Sequence, residues 1–289
     1  MKTPQLPFRL PSPLERLDIG TDLDLWMKRD DLIHPVISGN KWRKLKGFFS
    51  DVDRSKTIVT FGGAYSNHLP ALAHAARLHD MDCIGVVRGE ELTDTSNEYL
   101  RYCAAEGMKL VFVPRKEFRE LRSKDWQYEP TLLGLSKEQI VTLPEGGAGA
   151  HVMEGCGEIW EELCEEFKPD HLVISSGTGA TVSGILQAMS LEEPTVIHVC
   201  SAVRGAAKEM VMVMSMAQEK KIQLFWIDEA FGGFGKVPQE LSALKENFKA
   251  NSGINIDLNY NAKLWSWLIS QRLRGSVVWV NTGGFRTER

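Results

Sequence analysis

The chain has little that would staple or anchor it. Its five cysteines, Cys83, Cys103, Cys156, Cys164 and Cys200, are scattered without a CxxC pair, which argues against a zinc knuckle or a dithiol redox centre. Buried free thiols and a reducing, cytoplasmic setting are the expectation. No apolar run approaches the roughly 20 residues that span a bilayer. The opening MKTPQLPFRLPSPLERL, interrupted by four prolines, lacks the apolar core of a secretory leader. Charge of one sign is not in excess either: 34 lysines and arginines meet 38 acids, a net of -4, so nucleic acid is not an expected partner. Also missing are internal repeats, low-complexity tracts, a GxGxxG fingerprint and a Walker GK[ST].

What is there is enough apolar sequence, 43% of 289 residues, to bury the core of one or two domains. Short β-branched or apolar runs end in small-residue loops that lead into helix-like segments, the rhythm of parallel βα units. The runs expected as strands are 57–61, 83–87, 110–113, 172–175, 196–200 and 277–280. Helices are expected after GGAYSNH, from Leu69, and over Glu154 to Phe167, whose acidic face of Glu158, Glu161, Glu162, Glu165 and Glu166 reads as solvated surface rather than a metal site. The polar stretch from Arg115 to Glu138 reads as exposed loop.

Two strand-to-helix turns stand out. GGAYSNH, Gly62 to His68, lies at a strand's carboxyl end, the edge where open α/β sheets bind ligands. Ser66 and Asn67 there can cap a helix at Leu69 or offer donors to a carboxylate. HLVIS runs into SGTGATVSG, where backbone N–H groups from Gly177 to Thr181 can converge on a phosphate at the positive end of a helix, with Thr178 and Thr181 adding hydroxyls. A third segment, SGNKWRKLKG, sets Lys41, Arg43 and Lys44 directly behind a turn. Taken alone it is a helix start with solvated lysines.

Taken in order, KRDDL, SGNKWRKLK, TFGGAYSNH, EGG and SGTGATVSG resemble the tryptophan-synthase-β-like, fold type II pyridoxal-phosphate enzymes, and within them the D-cysteine desulfhydrase and 1-aminocyclopropane-1-carboxylate deaminase branch. The likeness runs from Pro11 to Gly284. It implies that Lys41 holds pyridoxal 5'-phosphate as a Schiff base and moves protons at the substrate α-carbon, with Lys44 near the cofactor phosphate. It implies a phosphate cup of Gly177, Thr178, Gly179, Ala180 and Thr181, with Asn67 at the phenolic oxygen. Ser66, Asn67 and His68 would take the substrate. Thr282, in VNTGG, would meet the pyridine nitrogen, and Tyr260 would act as an acid or base over the site. A lysine desolvated beside cations such as Arg43 and Lys44 has a lowered pKa, which suits the first of these roles.

The resemblance further implies two open, twisted parallel-sheet αβα domains with the cofactor between them, and a homodimer. Residues 46–145 would form the smaller, inserted domain; 1–45 and 146–289 would form the larger one, with Lys41 where the chain leaves it. The expected reaction is α,β-elimination from D-cysteine to pyruvate, ammonia and sulfide. Ring-opening deamination of 1-aminocyclopropane-1-carboxylate is the alternative, and a non-catalytic phosphate- or nucleotide-binding protein is an alternative of another class. Where the deaminases have a glutamate after the tyrosine and a leucine before the final glycines, this chain has Asn261 and Thr282. Phe234 stands where the family has a tyrosine. Asn261 and Thr282 argue against the deaminase and Thr282 matches the desulfhydrase side, although Asn261 is not the serine or threonine expected there; Phe234, with no hydroxyl, counts against the family's usual substrates.

Overall fold

The computed structural model describes residues 8–149, 151–202, 205–228 and 237–284. In chain order the elements begin β1 (Leu14–Arg16), β2 (Asp24–Lys28), α1 (Asn40–Asp51), β3 (Thr57–Gly63), α2 (His68–Leu78), β4 (Cys83–Arg88), α3 (Glu98–Ala105), β5 (Lys109–Val113), α4 (Arg115–Ser123) and β6 (Ile140–Leu143). They continue with α5 (His151–Glu166), β7 (His171–Ser176), α6 (Ala180–Ala188), β8 (Val196–Ser201), α7 (Ala207–Glu219), β9 (Leu224–Ile227), α8 (Gln239–Ser252), α9 (Asn261–Leu268) and β10 (Ser276–Val280). The described residues divide into two compact units: Phe8 with His34–Val152, and Arg9–Ile33 with Met153–Gly284.

The first unit is built on a four-stranded, all-parallel sheet in the order β5-β4-β3-β6. Side chains alternate across a strand, so Ile58, Cys83 and Val87 face one layer and Val59, Phe61, Ile84 and Val86 the other. The first set packs with Leu45, Phe48 and Phe49 of α1, Leu72, Ala75 and Ala76 of α2, and Leu100 of α3. The second packs with Phe118 and Leu121 of α4. Alanines let α2 lie close on the sheet: Ala71, Ala73, Ala75 and Ala76 are all buried.

The boundary of this unit differs from the one expected. A cut at residue 46 would split α1, whose buried Leu45, Phe48 and Phe49 belong to one apolar cluster with α2 and β3. That stripe keeps the helix, and Lys41 at its start, in the first unit rather than on a flank of the second. The stretch from Arg115 to Glu138 is not simply exposed loop either. It contains α4, and its Phe118, Leu121, Trp126 and Leu133 are buried under the sheet.

The second unit carries a six-stranded sheet in the order β1-β2-β10-β7-β8-β9, parallel except for β1, which runs antiparallel on β2. Alternation again makes three layers. Leu172, Ile174, Ile197, Val199, Val278 and Val280 pack on α5, α6 and α7, while Leu25, Met27, Val173, Val277 and Trp279 pack on α8 and α9. Where α5 and α6 cross, a Cβ on Gly184 would lie 2.5 Å from Cys156 Cβ and 2.7 Å from the Met153 carbonyl oxygen. Only glycine allows that approach. The segment KRDDL is built into this unit: Lys28 Nζ is fully buried, donates to the Ser12 carbonyl at 2.6 Å and pairs with Glu162 at 2.7 Å, and Ser12 Oγ donates to Asp30 at 2.6 Å. Glu162 is therefore an internal ion-pair partner and not part of a solvated face; Glu161, Glu165 and Glu166 are exposed. Cys83, Cys103, Cys156 and Cys200 are buried free thiols, whereas Cys164 is exposed. Among the described residues no helix is long and apolar enough to cross a membrane.

Candidate functional site

In the first unit, Gly39 at φ 63 turns the chain into α1, and Lys41 follows on the first turn with its Nζ donating to Asn40 Oδ1 at 2.5 Å. Three residues on, Lys44 is buried and its Nζ donates to the Gly146 carbonyl at 3.4 Å. The loop after β3 delivers its polar residues to the start of α2. That helix opens at His68, and Ser66 Oγ accepts from the His68 amide at 3.2 Å, while Asn67 at the cap position makes no capping bond with its side chain. The serine thus supplies the cap.

His68 is fixed in one form. Thr60 has a single hydroxyl proton, donated to the Leu143 carbonyl at 2.7 Å, so the 2.9 Å contact between Thr60 Oγ1 and His68 Nε2 has the imidazole as donor. Burial, followed by the charges of Lys41 and Lys44, pushes His68 down to about 3. The ring is neutral at pH 7, and Nδ1 is a bare acceptor, buried and without a hydrogen-bond partner among the described residues. Beside it, Gly147 holds φ 75, and a Cβ there would lie 3.3 Å from His68 Cε1 and 3.8 Å from Lys44 Cβ. The first unit therefore gathers Lys41, Lys44, Ser66, Asn67 and His68, with Thr60 and Gly147 shaping their surroundings.

The second unit contributes a turn made mainly of backbone. At the end of β7, Ser176 Oγ accepts from the Gly179 amide at 3.1 Å, and Gly179, at φ 73, caps α6. The first turn of any α-helix has N–H groups with no carbonyl four residues back. Here they belong to Ala180, Thr181 and Val182, at the positive end of the helix dipole. Thr178 is exposed and Thr181 buried. A Cβ on Gly177 would sit 3.1 Å from Tyr260 Oη and 3.3 Å from its Cε1, so the phenol lies against the turn. Thr282 follows β10 and is buried. Because Val280 is in register with Ile174 on the parallel neighbour β7, Thr282 reaches the same sheet edge as Ser176. The Asn281 amide, bonded to the Lys28 carbonyl at 3.0 Å, and the Gly283 amide, bonded to Asn281 Oδ1 at 3.1 Å, hold it there. Gly177 to Thr181, Tyr260 and Thr282 are thus assembled at one edge of one sheet. Phe234 lies outside the described residues.

Asn261 does not have the position its place in the sequence suggests. It is fully buried, with Nδ2 donating to Asp257 Oδ2 at 2.7 Å and Oδ1 accepting from Trp279 Nε1 at 3.2 Å. These two bonds tie it to the loop before α9 and to the core of β10. Sequence reasoning passed over Thr60, Asp257 and Gly147. The EGG cluster was the only signal for any of them; a threonine in a strand and an aspartate before a helix are too common to single out.

The first unit thus presents a side-chain amine at a helix start, and the second, taken by itself, a helix-capping turn of the kind that binds anions. The comparisons agree with that chemistry. Residues 6–243 match the family described as pyridoxal-phosphate dependent enzyme. A Pyrococcus abyssi protein with the provisional name 1-aminocyclopropane-1-carboxylate deaminase is 28% identical, over 94% of this chain and 87% of its own. The D-cysteine desulfhydrase of Salmonella choleraesuis is 25% identical, over 95% of this chain and 92% of its own. Among solved structures, an ACC deaminase homologue superposes with a TM-score of 0.78 at 23% identity, over 96% of this chain and 91% of that one. With a matched region that covers most of the sequence and the same two-sheet architecture, the chain belongs to the pyridoxal-phosphate dependent enzymes.

Proposed function

We propose that this enzyme acts on a small amino acid, with D-cysteine as substrate and pyruvate, ammonia and sulfide as products of α,β-elimination and hydrolysis. The observation that carries the reading is the pairing of Lys41 with neutral His68 in one unit and the open α6 turn against Tyr260 in the other. The residues fit the cofactor: a Cβ at Gly177 or Gly179 would crowd the turn, and the donors around it suit a dianionic phosphate. Lys41 would carry the cofactor through its amine; Lys44 and Gly177 to Thr181 would hold its phosphate. Asn67 would serve the phenolic oxygen and Thr282 the pyridine nitrogen. Once bound, pyridoxal phosphate supplies the sink that stabilises negative charge at the substrate α-carbon.

In this reading, Ser66 and Asn67, backed by the first N–H groups of α2, hold the substrate carboxylate and fix which Cα bond is aligned for cleavage. Lys41, its amine freed when the substrate amine takes its place, would then take the α-proton. Tyr260 would exchange a proton with the departing group, and the buried, neutral His68 would back the substrate loop without adding charge. Ring-opening deamination of 1-aminocyclopropane-1-carboxylate is the second reading, favoured by the names of the relatives. A homodimer in the cytoplasm belongs to the same proposal, and sedimentation analysis checks the stoichiometry.

The test is the visible spectrum of the protein with pyridoxal phosphate, beside Lys41→Ala, before and after each substrate. A Lys41-dependent band, with sulfide and pyruvate from D-cysteine, is the expected result. 2-Oxobutanoate from the cyclopropane substrate and no sulfide would move the assignment to the deaminase; a band that persists in Lys41→Ala would overturn the role of that lysine.

A further inference from the structure

Tyr260 stands at the junction between a loop and α9, where a backbone is free to vary unless something holds it. The holder is Asp257. Its Oδ1 accepts from the amides of Asn259 at 2.9 Å and Tyr260 at 2.7 Å, and its Oδ2 accepts from the amide of Asn261 at 3.2 Å and from Asn261 Nδ2 at 2.7 Å. Four N–H groups thus converge on one carboxylate, with Tyr260 in the middle of the run. The carboxylate is in turn fixed to the sheet, because Asn261 Oδ1 takes the indole proton of Trp279, the fully buried residue of β10 that stacks on Trp265 at 5.8 Å. The chain of contacts runs from the centre of β10 through Asn261 and Asp257 to the tyrosine whose ring rests on Gly177. Charge-assisted bonds of this kind are the strong ones.

We propose that Asp257 and Asn261 are positioning residues that set the Tyr260 phenol against the phosphate turn, coupling its place to the β10 core through Trp279. This rests on the reading of Tyr260 as an acid or base. It accounts for an asparagine after the tyrosine: the side chain must donate to one partner and accept from another, which a carboxamide does and neither a carboxylate nor a hydroxymethyl does with the same reach.

The test compares wild type, Asp257→Asn, the exchanged pair Asp257→Asn with Asn261→Asp, Tyr260→Phe, and Asp257→Asn with Tyr260→Phe, all as full chains loaded with pyridoxal phosphate. In the exchanged pair the carboxylate stands at position 261, where it accepts from both the carboxamide introduced at position 257 and the Trp279 indole. Amide hydrogen exchange over residues 257–264 gives a readout that does not depend on turnover. In Asp257→Asn, exchange at 259–261 is expected to quicken about tenfold. If acid–base work is worth about 100-fold, kcat is expected to fall about tenfold with KM within about twofold. The exchanged pair recovers both readings by more than half, and in the Tyr260→Phe background the Asp257 change costs kcat nothing further. Unchanged exchange in Asp257→Asn, no recovery in the exchanged pair, or losses that multiply with that of Tyr260→Phe would each overturn the proposal. Full turnover in Tyr260→Phe would sink the catalytic reading of the tyrosine and with it the purpose assigned to the anchor, even where hydrogen exchange confirms the anchor itself.

Discussion

Two strand-to-helix turns follow central strands of parallel sheets, yet they present opposite kinds of chemistry. After β3, Ser66 caps the amide of His68 and the turn displays side chains: Ser66, Asn67 and a histidine locked by Thr60. After β7, the serine instead caps the amide of Gly179, one residue ahead of the helix, and that glycine holds a left-handed φ of 73 at the start of α6. The difference is where the serine bond falls. One turn can read and move protons; the other can hold an anion whatever its side chains are.

Side-chain changes in the first unit should therefore damage reaction, and backbone changes in the second should damage retention of cofactor. Lys41→Ala is expected to have the largest effect, a fall of about 10³-fold or more in kcat, read by single-turnover kinetics with cofactor in excess. Equal turnover would remove the lysine from the reaction. Next, Gly179→Ala puts a Cβ at φ 73, 3.2 Å from Val213 Cγ2 and 3.3 Å from Met212 Cε. Strain of about 1–2 kcal/mol in that turn should weaken cofactor binding about tenfold, measured by fluorescence titration, with kcat at saturation little changed. A loss in kcat alone would erase the contrast between the turns.

Thr60→Val removes the acceptor of the His68 Nε2 proton. A buried donor left unmade costs about 1–3 kcal/mol, so urea unfolding should shift by that much. A variant as stable as wild type would mean that His68 had turned to bond through its other nitrogen. The last effect concerns acid. His68 sits at about 3, against an ordinary 6.5, because burial disfavours its charged form, so between those values the unfolded chain binds the proton and the folded chain does not. Stability is whole above pH 6.5 and falls as pH drops towards 3, by roughly 1.4 kcal/mol per unit from this ring alone. His34 and His198, each lowered to about 4 chiefly by burial, add to the same trend. His68→Gln should flatten it; an unaltered slope would assign the effect to the other two.

Much of this was legible in the sequence because the central strands are runs of β-branched and apolar residues that end in glycine. The runs expected at 57–61, 83–87, 110–113, 172–175, 196–200 and 277–280 each lie within an observed strand. β1, β2, β6 and β9 escaped notice. They are short, and β2 ends on Lys28, whose burial makes sense only beside Glu162, a residue far along the chain. Trp126 and Leu133 were hidden for a related reason: they lie in a stretch with no strand or helix period, and only the fold shows that they cover one face of the sheet. The role of Asn261 as a link was not legible, because its partners Asp257 and Trp279 come from the approach to α9 and from a distant strand.

The crossing of α5 and α6 at Gly184 and Gly157 gives the turn before α6 an unexpected mechanical dependence. A Cβ on Gly157 would meet the Gly184 carbonyl oxygen at 3.2 Å, just as one on Gly184 meets Cys156, so the two helices stand at the least separation that a backbone permits. The turn is the near end of α6. A single methyl inserted at the crossing would act as a shim, tilting the helix and carrying Gly179 and its neighbours out of line with Tyr260 and Thr282. If the turn holds the cofactor phosphate as proposed, the strength of that hold depends partly on a spacing some way down the helix.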